Sequence, residues 1–215
     1  MARTCALGAY DPGSNPGGLI QQEMAKRVFI IHGWWGTPKE GWYPWLAKEL
    51  EKKGFEVYVP EMPNTGAPKV KSWISKLEKV VGKLDGNTYF VGHSIAALTI
   101  LFYLEKLPEK TKCGGAVFVA PWFRLTEEGQ PYEEWRIEKA WTQRKINLDR
   151  VLQKTKKFVA IFGDDDPYVN FKENKRKFEK FCKVIVEKGK KHVSEEFGVM
   201  TLPSALRAVL DMAKV

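Results

Sequence analysis

The chain has 215 residues, of which 44% are hydrophobic and 28% are charged, and this composition is typical of one soluble globular domain. No run of about 18 uncharged apolar residues occurs, which argues against a transmembrane helix, and three scattered cysteines favour a reducing cytoplasm over a disulfide framework. The formal charge is +9, but the lysines alternate with glutamates without interleaved aromatic residues, so we expect a solvated surface and no nucleic-acid or membrane partner.

The first 25 residues differ in composition from the rest of the chain. They have no apolar periodicity and lack the continuous hydrophobic core of a secretion signal. Glycines and prolines crowd this stretch, namely Gly8, Pro12, Gly13, Pro16, Gly17 and Gly18. We expect residues 1–25 to be a disordered extension, with Met24 a candidate start of the native protein, and residues 26–215 to form a single domain.

Six apolar runs rich in β-forming residues predict strands. The runs are 27–31, 56–60, 88–91, 115–119, 158–162 and 183–186. Helical patterns lie between most of them, and the clearest is an i, i+3, i+4, i+7 stripe from Val70 to Leu84. Strands without polar alternation, separated by helices, indicate a parallel sheet covered on both faces.

Prolines mark the limits of two further helices. Pro44 suits the first turn of a helix that ends before Gly54, and Pro108 ends a helix that begins near Ala96. From 121 to 154 no strand is predicted, although several aromatic residues cluster there with charged ones. We expect this segment to be a small helical cap over the carboxyl ends of the strands, where ligands bind in open α/β sheets.

The junction between the third strand and the next helix has the pattern of a nucleophile elbow. Its sequence is Gly92-His93-Ser94-Ile95-Ala96. A serine on such a tight turn has its Oγ lifted clear of the sheet, and the N–H of the following residue points into the same space. Ser94 is therefore the candidate nucleophile. Ala96 stands where the usual pattern has a second glycine, which raises the question whether its methyl group alters the elbow.

A serine nucleophile needs a histidine base, and the chain has three histidines. His93 lies inside the elbow, where the turn directs its side chain away from the serine. His32 follows the first strand, and we expect it to be a structural hydrogen-bonding residue. His192 follows the sixth strand and a loop, so it is the candidate base.

The acid that orients the base is expected after the fifth strand, where Asp164, Asp165 and Asp166 compete. Asp166 is preferred because Asp-x-x-Val, here ending at Val169, is the usual loop pattern at this place. The order Ser, Asp, His along the chain is that of the α/β-hydrolases.

From Arg27 to Val215 the chain resembles the small serine hydrolases typified by retinoblastoma-binding protein nine and bacterial YdeN-type proteins. The motifs that carry this resemblance are His32-Gly33, Trp42, Trp45, Glu61-Met62-Pro63-Asn64, Trp73, Gly92-His93-Ser94, Asp165-Asp166, His192 and Leu202-Pro203. The resemblance implies a compact α/β-hydrolase fold and a triad of Ser94, Asp166 and His192. It also suggests a six-stranded, mostly parallel sheet with strand order 2-1-3-4-5-6. The tumour-suppressor-binding pattern Leu-x-Cys-x-Glu is missing, so nothing supports that partner.

The sequence favours a cofactor-independent serine hydrolase that cleaves small carboxylic esters or activated amides through an acyl-enzyme. In this hypothesis the backbone N–H groups of Trp34 and Ile95 receive the oxyanion. Trp35 and Trp122 are candidate substrate-binding residues, and aromatic residues such as Trp42 and Trp45 belong either to an acyl pocket or to the core. No His-Glu-x-x-His or Cys-x-x-Cys spacing occurs, so no metal is expected.

Other functions remain open at this stage. A lyase or perhydrolase would use the same triad, because fold and triad do not fix the reaction. A non-catalytic binding protein on a hydrolase scaffold is the third hypothesis, and Ala96 keeps it open. Lys188, Lys190 and Lys191, beside His192, either favour anionic substrates or form a solvated loop. The oligomeric state is not predicted.

Overall fold

The computed structural model describes residues 25–126 and 132–215. These residues form a six-stranded parallel sheet with the order β2-β1-β3-β4-β5-β6. The strands are β1 Arg27–Ile31, β2 Glu56–Tyr58, β3 Thr88–His93, β4 Gly115–Val119, β5 Phe158–Gly163 and β6 Lys183–Glu187. The α/β-hydrolase fold and the strand order expected from the sequence are therefore confirmed.

The strand ends differ slightly from the predicted ones. The short edge strand β2 ends at Tyr58, two residues before the predicted end. In the interior of the sheet β3 extends beyond its predicted end to His93, because this residue pairs with Val119 of β4. Likewise β5 ends at Gly163, which pairs with Glu187 of β6.

Helices lie between the strands. They are α1 Tyr43–Glu51, α2 Val70–Val81, α3 Ala96–Lys106, α4 Tyr132–Thr142, α5 Leu148–Leu152, α6 Phe171–Phe178 and α7 Pro203–Ala213. The stripe predicted for α2 is buried through Trp73, Ile74 and Leu77. In α3 every residue from Ala96 to Leu104 is buried, because the helix packs on the sheet and also contacts α2 and α5.

Two hydrophobic cores cover the two faces of the sheet. In β1, Phe29 and Ile31 face one core with α2 and α3, whereas Val28 and Ile30 face the other with α1 and α7. Both faces of each interior strand are therefore buried, which explains why their sequences are apolar without alternation. The described part of the chain contains no helix that is long and apolar enough to span a membrane.

The segment between β4 and β5, which the sequence predicts to be a small cap, holds α4 and α5. The indole of Trp141 in α4 is completely buried, and its N–H donates to the Pro68 carbonyl oxygen at 3.0 Å. This bond ties the cap to the loop before α2. Residues 127–131 and the predicted extension before residue 25 lie outside the described residues, so the extension and its boundary stay predictions.

Replacing Leu101 by alanine should test the importance of α3. Its side chain is completely buried, so Leu101→Ala should lower the free energy of unfolding by about 2–5 kcal/mol. Chemical denaturation measures this change, with Met200→Ala, at a side chain that is 51% exposed, as the control. An equal, small effect of both substitutions would contradict the assignment of α3 to the core.

Candidate active site

Ser94 occupies the tight turn between β3 and α3. Its backbone is in the left-handed region, with φ of +55°, and its N–H donates to the Val119 carbonyl oxygen at 2.8 Å. The turn requires glycine at position 92, because a Cβ there would lie 2.6 Å from Cδ1 of Ile100 and 3.1 Å from the Ala96 carbonyl. These features are those of a strained strand-to-helix elbow.

The methyl group of Ala96 does not disrupt this turn. Ala96 is completely buried as the first residue of α3, and the next residue, Ala97, donates its N–H to the Ser94 carbonyl oxygen at 3.0 Å. Ser94 keeps its left-handed conformation. The departure from the usual glycine therefore leaves the strand, turn and helix in place.

The hydroxyl oxygen of Ser94 accepts a hydrogen bond from the indole N–H of Trp122. The two atoms are 3.1 Å apart, and the Trp122 side chain is completely buried. The sequence indicates Trp122 only as a candidate substrate-binding residue and does not predict its contact with the serine itself. Among the described residues no hydrogen bond joins Ser94 Oγ to the His192 ring.

His192 is paired with Asp166. Its Nδ1 lies 2.8 Å from Asp166 Oδ2, and the carboxylate is almost completely buried, with 2% of its side chain exposed. The other oxygen, Oδ1, accepts the N–H groups of Tyr168 at 2.8 Å and Val169 at 3.0 Å. Because a carboxylate accepts hydrogen bonds, Nδ1 carries the proton and Nε2 has a free lone pair.

The neighbouring aspartates hold the loop that carries His192. Asp164 accepts the Gly189 N–H at 2.9 Å, and Asp165 accepts the Lys191 N–H at 2.8 Å. Only Asp166 contacts the imidazole among these three residues, as the Asp-x-x-Val pattern predicted. All three carboxylates therefore attach the loop after β5 to the loop after β6, with a different role for each.

The backbone on both sides of His192 is strained. Lys191 and Val193 have φ values of +47° and +51°, and a positive φ is rare for a β-branched residue. Such a conformation costs on the order of 1–3 kcal/mol per residue and persists where the surroundings impose it. Here the Trp42 indole N–H donates to the Val193 carbonyl oxygen at 2.8 Å, and a Cβ at Gly163 would clash with the Lys191 carbonyl.

His93 connects the elbow to the same loop. Its Nε2 lies 2.9 Å from the backbone oxygen of His192, so Nε2 carries the proton and donates a hydrogen bond to that oxygen. Nδ1 then accepts the hydroxyl of Tyr43 at 2.9 Å. Burial, reinforced by the nearby His192, lowers the pKa of His93 to about 3, so the ring is neutral. The elbow pattern directs this ring away from Ser94, but no sequence signal predicts its contact with His192.

His32 has the structural role that we expected. Its Nε2 accepts the Met62 N–H at 2.9 Å, so Nδ1 is protonated and donates to the Gly33 carbonyl oxygen at 2.9 Å. Burial lowers the pKa of His32. With both ring nitrogens used, this histidine has no free lone pair for a catalytic proton transfer.

Two backbone donors flank Ser94. Ile95 follows it at the start of α3, and Trp34 lies in the loop after β1. Within residues 25–126 and 132–215, neither N–H donates to a protein acceptor, whereas the next amide in that loop, Trp35, is bonded to Thr65 at 3.0 Å. Trp34 lines the cavity over Ser94, whereas Ile95 is completely buried beside it.

A cavity of about 330 Å³ opens over Ser94 and His192. Trp35 lies on its wall with 67% of its surface exposed, and its ring occupies the space next to Gly66. Trp42 and Trp45 differ from Trp35. Trp42 touches the cavity but is 1% exposed and supports the His192 loop, whereas Trp45 packs against the core. A larger cavity, about 670 Å³, contains none of the candidate catalytic residues.

Three comparisons place these observations among known proteins. The family model described as "Serine hydrolase" matches residues 28–211. The curated relative "Putative hydrolase YdeN" of Bacillus subtilis (strain 168) is 29% identical over 181 residues, covering 84% of this chain and 92% of the relative. The crystal structure of the ydeN gene product from B. subtilis matches with a TM-score of 0.79 and 25% identity, covering 89% of this chain and 100% of that chain.

A more distant structure, Est1E from Butyrivibrio proteoclasticus, matches with a TM-score of 0.68 at 17% identity, covering 91% of both chains. At this identity the match shows the fold alone. The family match is stronger evidence, because it spans the elbow, the aspartate loop and the histidine loop. The chain therefore belongs to the serine hydrolase family.

Proposed function

We propose that Ser94, His192 and Asp166 form a catalytic triad that hydrolyses small carboxylic esters or activated amides. One observation carries this proposal. The His192 imidazole, oriented by Asp166 at 2.8 Å, lies on the wall of the same cavity as the elbow serine. The other two imidazoles are neutral or bonded at both nitrogens, so His192 is the base with a free lone pair.

In the first half-reaction His192 Nε2 takes the Ser94 hydroxyl proton while Oγ attacks the carbonyl carbon of the substrate. The resulting imidazolium is stabilised by Asp166, and the oxyanion accepts hydrogen bonds from the Trp34 and Ile95 amides. His192 then gives its proton to the leaving alcohol or amine as the bond to the carbonyl carbon breaks. The product is an ester between the acyl group and Ser94.

In the second half-reaction water repeats these steps. His192 takes a proton from water, the hydroxide attacks the acyl carbon, and the bond to Ser94 Oγ breaks as Oγ recovers a proton from His192. The hydrogen bond from Trp122 stabilises Oγ while it carries negative charge in both half-reactions. It also occupies one lone pair of Oγ and so limits the directions available to the hydroxyl proton.

The substrate class rests on the size of the cavity and on the reaction that the triad performs. A space of about 330 Å³ accommodates a small molecule rather than a folded protein. Structures with the same fold include a complex described as ferulic acid bound to Est1E and a monoacylglycerol lipase from Paleococcus ferrophilus. These relatives are 17% and 16% identical to the chain, so they supply an analogy for an ester substrate.

We further propose that the protein works in the reducing cytoplasm. Cys113 and Cys182 are free and buried, and burial raises the pKa of the Cys113 thiol to about 12 and also raises that of Cys182. The partner expected for the site is a small ester or amide.

Labelling by a fluorophosphonate probe tests the nucleophile and the base. The wild-type protein should be labelled, Ser94→Ala should lose labelling completely, and His192→Ala should label more slowly by about 10³-fold or more. Ser75→Ala, at an exposed serine of α2, is the control and should label normally. A folded wild-type protein that is not labelled would favour a non-catalytic binding protein, and labelling without ester hydrolysis would favour a lyase or perhydrolase.

Asparagine substitutions at two neighbouring aspartates test which carboxylate is the acid of the triad. Asp166→Asn should reduce kcat on the order of 10⁴-fold, because the amide favours the wrong imidazole tautomer and does not stabilise the imidazolium. Asp165→Asn keeps an oxygen that accepts the Lys191 N–H, so it should change kcat little. Steady-state ester hydrolysis measures both, and equal losses would contradict the assignment of the acid to Asp166.

The indole of Trp122 can be tested against that of Trp141. Both side chains are completely buried and donate one hydrogen bond, but Trp141 donates to the Pro68 carbonyl oxygen. Trp122→Phe should reduce kcat by about 10- to 100-fold with little change in KM, the effect of losing a hydrogen bond to a charged atom. Trp141→Phe should reduce the stability and leave kcat nearly unchanged. Equal kcat values in the two variants would refute the proposed role of the Trp122 N–H.

A further inference from the structure

Among the described residues, the acidic and basic side chains on the wall of the catalytic cavity are of one sign only. Four glutamates line it, and none of the described lysines or arginines does. They are Glu40, Glu134, Glu195 and Glu196. This contrasts with the whole chain, in which lysines and arginines number 35 and aspartates and glutamates 26. The cavity is thus negative in a protein whose net charge is positive.

Within the described residues, no lysine or arginine forms an ion pair with any of these four glutamates. Glu195 accepts the Gly41 N–H at 2.7 Å, and Glu196 accepts the Tyr168 hydroxyl at 2.6 Å. These donors are neutral, so they fix the positions of the carboxylates without cancelling their charges. The hydrogen bond to Glu196 raises the pKa of Tyr168 to about 12, and Asp166 and Glu134 act in the same direction.

The lysines near His192 do not reverse this charge. Lys188, Lys190 and Lys191 are absent from the cavity wall, and the Lys191 ammonium lies over the Phe197 ring, 5.0 Å from its centre. The alternative that these lysines attract an anionic substrate therefore has no support in the geometry of the cavity.

Independently of the glutamates, the cavity has the features of a ligand site. His192 is 92% buried, since 8% of its surface is exposed, and among the described residues its Nε2 has no protein partner. The wall also includes the aromatic rings of Trp34, Trp35 and Tyr168. Aromatic faces next to carboxylates are the surroundings that bind an organic ammonium ion, through cation–π attraction and charge.

From this arrangement we propose that the catalytic cavity selects esters or amides that carry an organic cation, such as a quaternary or primary ammonium group. The proposal rests on the function proposed above, because it assigns a substrate class to the same site. The ammonium group is held by the glutamates and the aromatic rings, while the carbonyl carbon reaches Ser94. The bond-breaking steps are unchanged.

Two esters of the same shape test whether a positive charge on the substrate increases the rate of hydrolysis. Acetylcholine and 3,3-dimethylbutyl acetate differ by the replacement of a positive nitrogen with carbon. At low ionic strength kcat/KM should favour acetylcholine by about tenfold or more, and the ratio should fall as salt screens the carboxylates. The parent alcohols give a second measurement, because choline should slow the labelling of Ser94 by a fluorophosphonate more strongly than 3,3-dimethylbutanol does.

Substitutions of one glutamate in α4 and one in the loop after β1 test whether these carboxylates cause the preference for a cation. Glu134→Gln and Glu40→Gln should each lower the preference for the cationic ester and the protection by choline. Glu133→Gln is the matched control, because Glu133 is adjacent in the same helix, is paired with Arg136 at the surface and does not line the cavity. An equal effect of Glu133→Gln and Glu134→Gln would overturn the proposal, since it would show that the net charge acts from a distance.

The outcomes separate the two proposals. If Ser94 is labelled but neither the esters nor the alcohols are distinguished by charge, the cation preference is wrong and the serine hydrolase mechanism stands. If the wild-type protein is folded and Ser94 is not labelled at all, the mechanism fails and the substrate class fails with it. Preference for acetylcholine or protection by choline, lost in Glu134→Gln and kept in Glu133→Gln, supports the cationic substrate.

Discussion

The loop that carries His192 must be held in a conformation that its own residues disfavour, and the candidate site depends on this constraint. The residues on either side, Lys191 and Val193, are left-handed. The fixing contacts come from outside the loop, from the carboxylates after β5, from the Trp42 indole and from the His93 ring. Because each contact uses a backbone group of the loop or the His192 ring itself, the position of this ring is determined by the loops at the carboxyl end of the sheet.

The three histidines differ in the hydrogen bonds of their ring nitrogens. His32 and His93 are buried, have lowered pKa values and bond to the protein through both ring nitrogens. Each is therefore a neutral structural group with a fixed tautomer. In His192 one nitrogen is bonded to Asp166, and the other has no partner among the described residues. All three rings are buried, so the number of bonded ring nitrogens, and not burial, distinguishes His192 from the other two.

The sequence predicted the features that depend on neighbouring residues and missed contacts between residues far apart in the chain. The elbow, the α2 stripe and the Asp-x-x-Val loop were predicted because their signals lie within a few residues, and the family resemblance supplied the strand order. The contacts of Trp122 with Ser94 and of His93 with His192 were missed, because they join residues 28 and 99 positions apart and leave no local pattern. The glutamates of the cavity were missed for the same reason, since Glu40, Glu134 and Glu195 come from three separate segments.

By itself the sequence determined the periodicity of the strands and helices, the serine turn and the Asp-x-x-Val loop that carries Asp166. These follow from backbone geometry and from short spacings, which are properties of neighbouring residues. Only the tertiary structure decided which indole contacts Ser94, which groups fix the His192 loop and which charges surround the cavity. The physical reason is that hydrogen bonding and electrostatic potential depend on distances in space, and these exist only once the β5, β6 and elbow loops meet at one edge of the sheet.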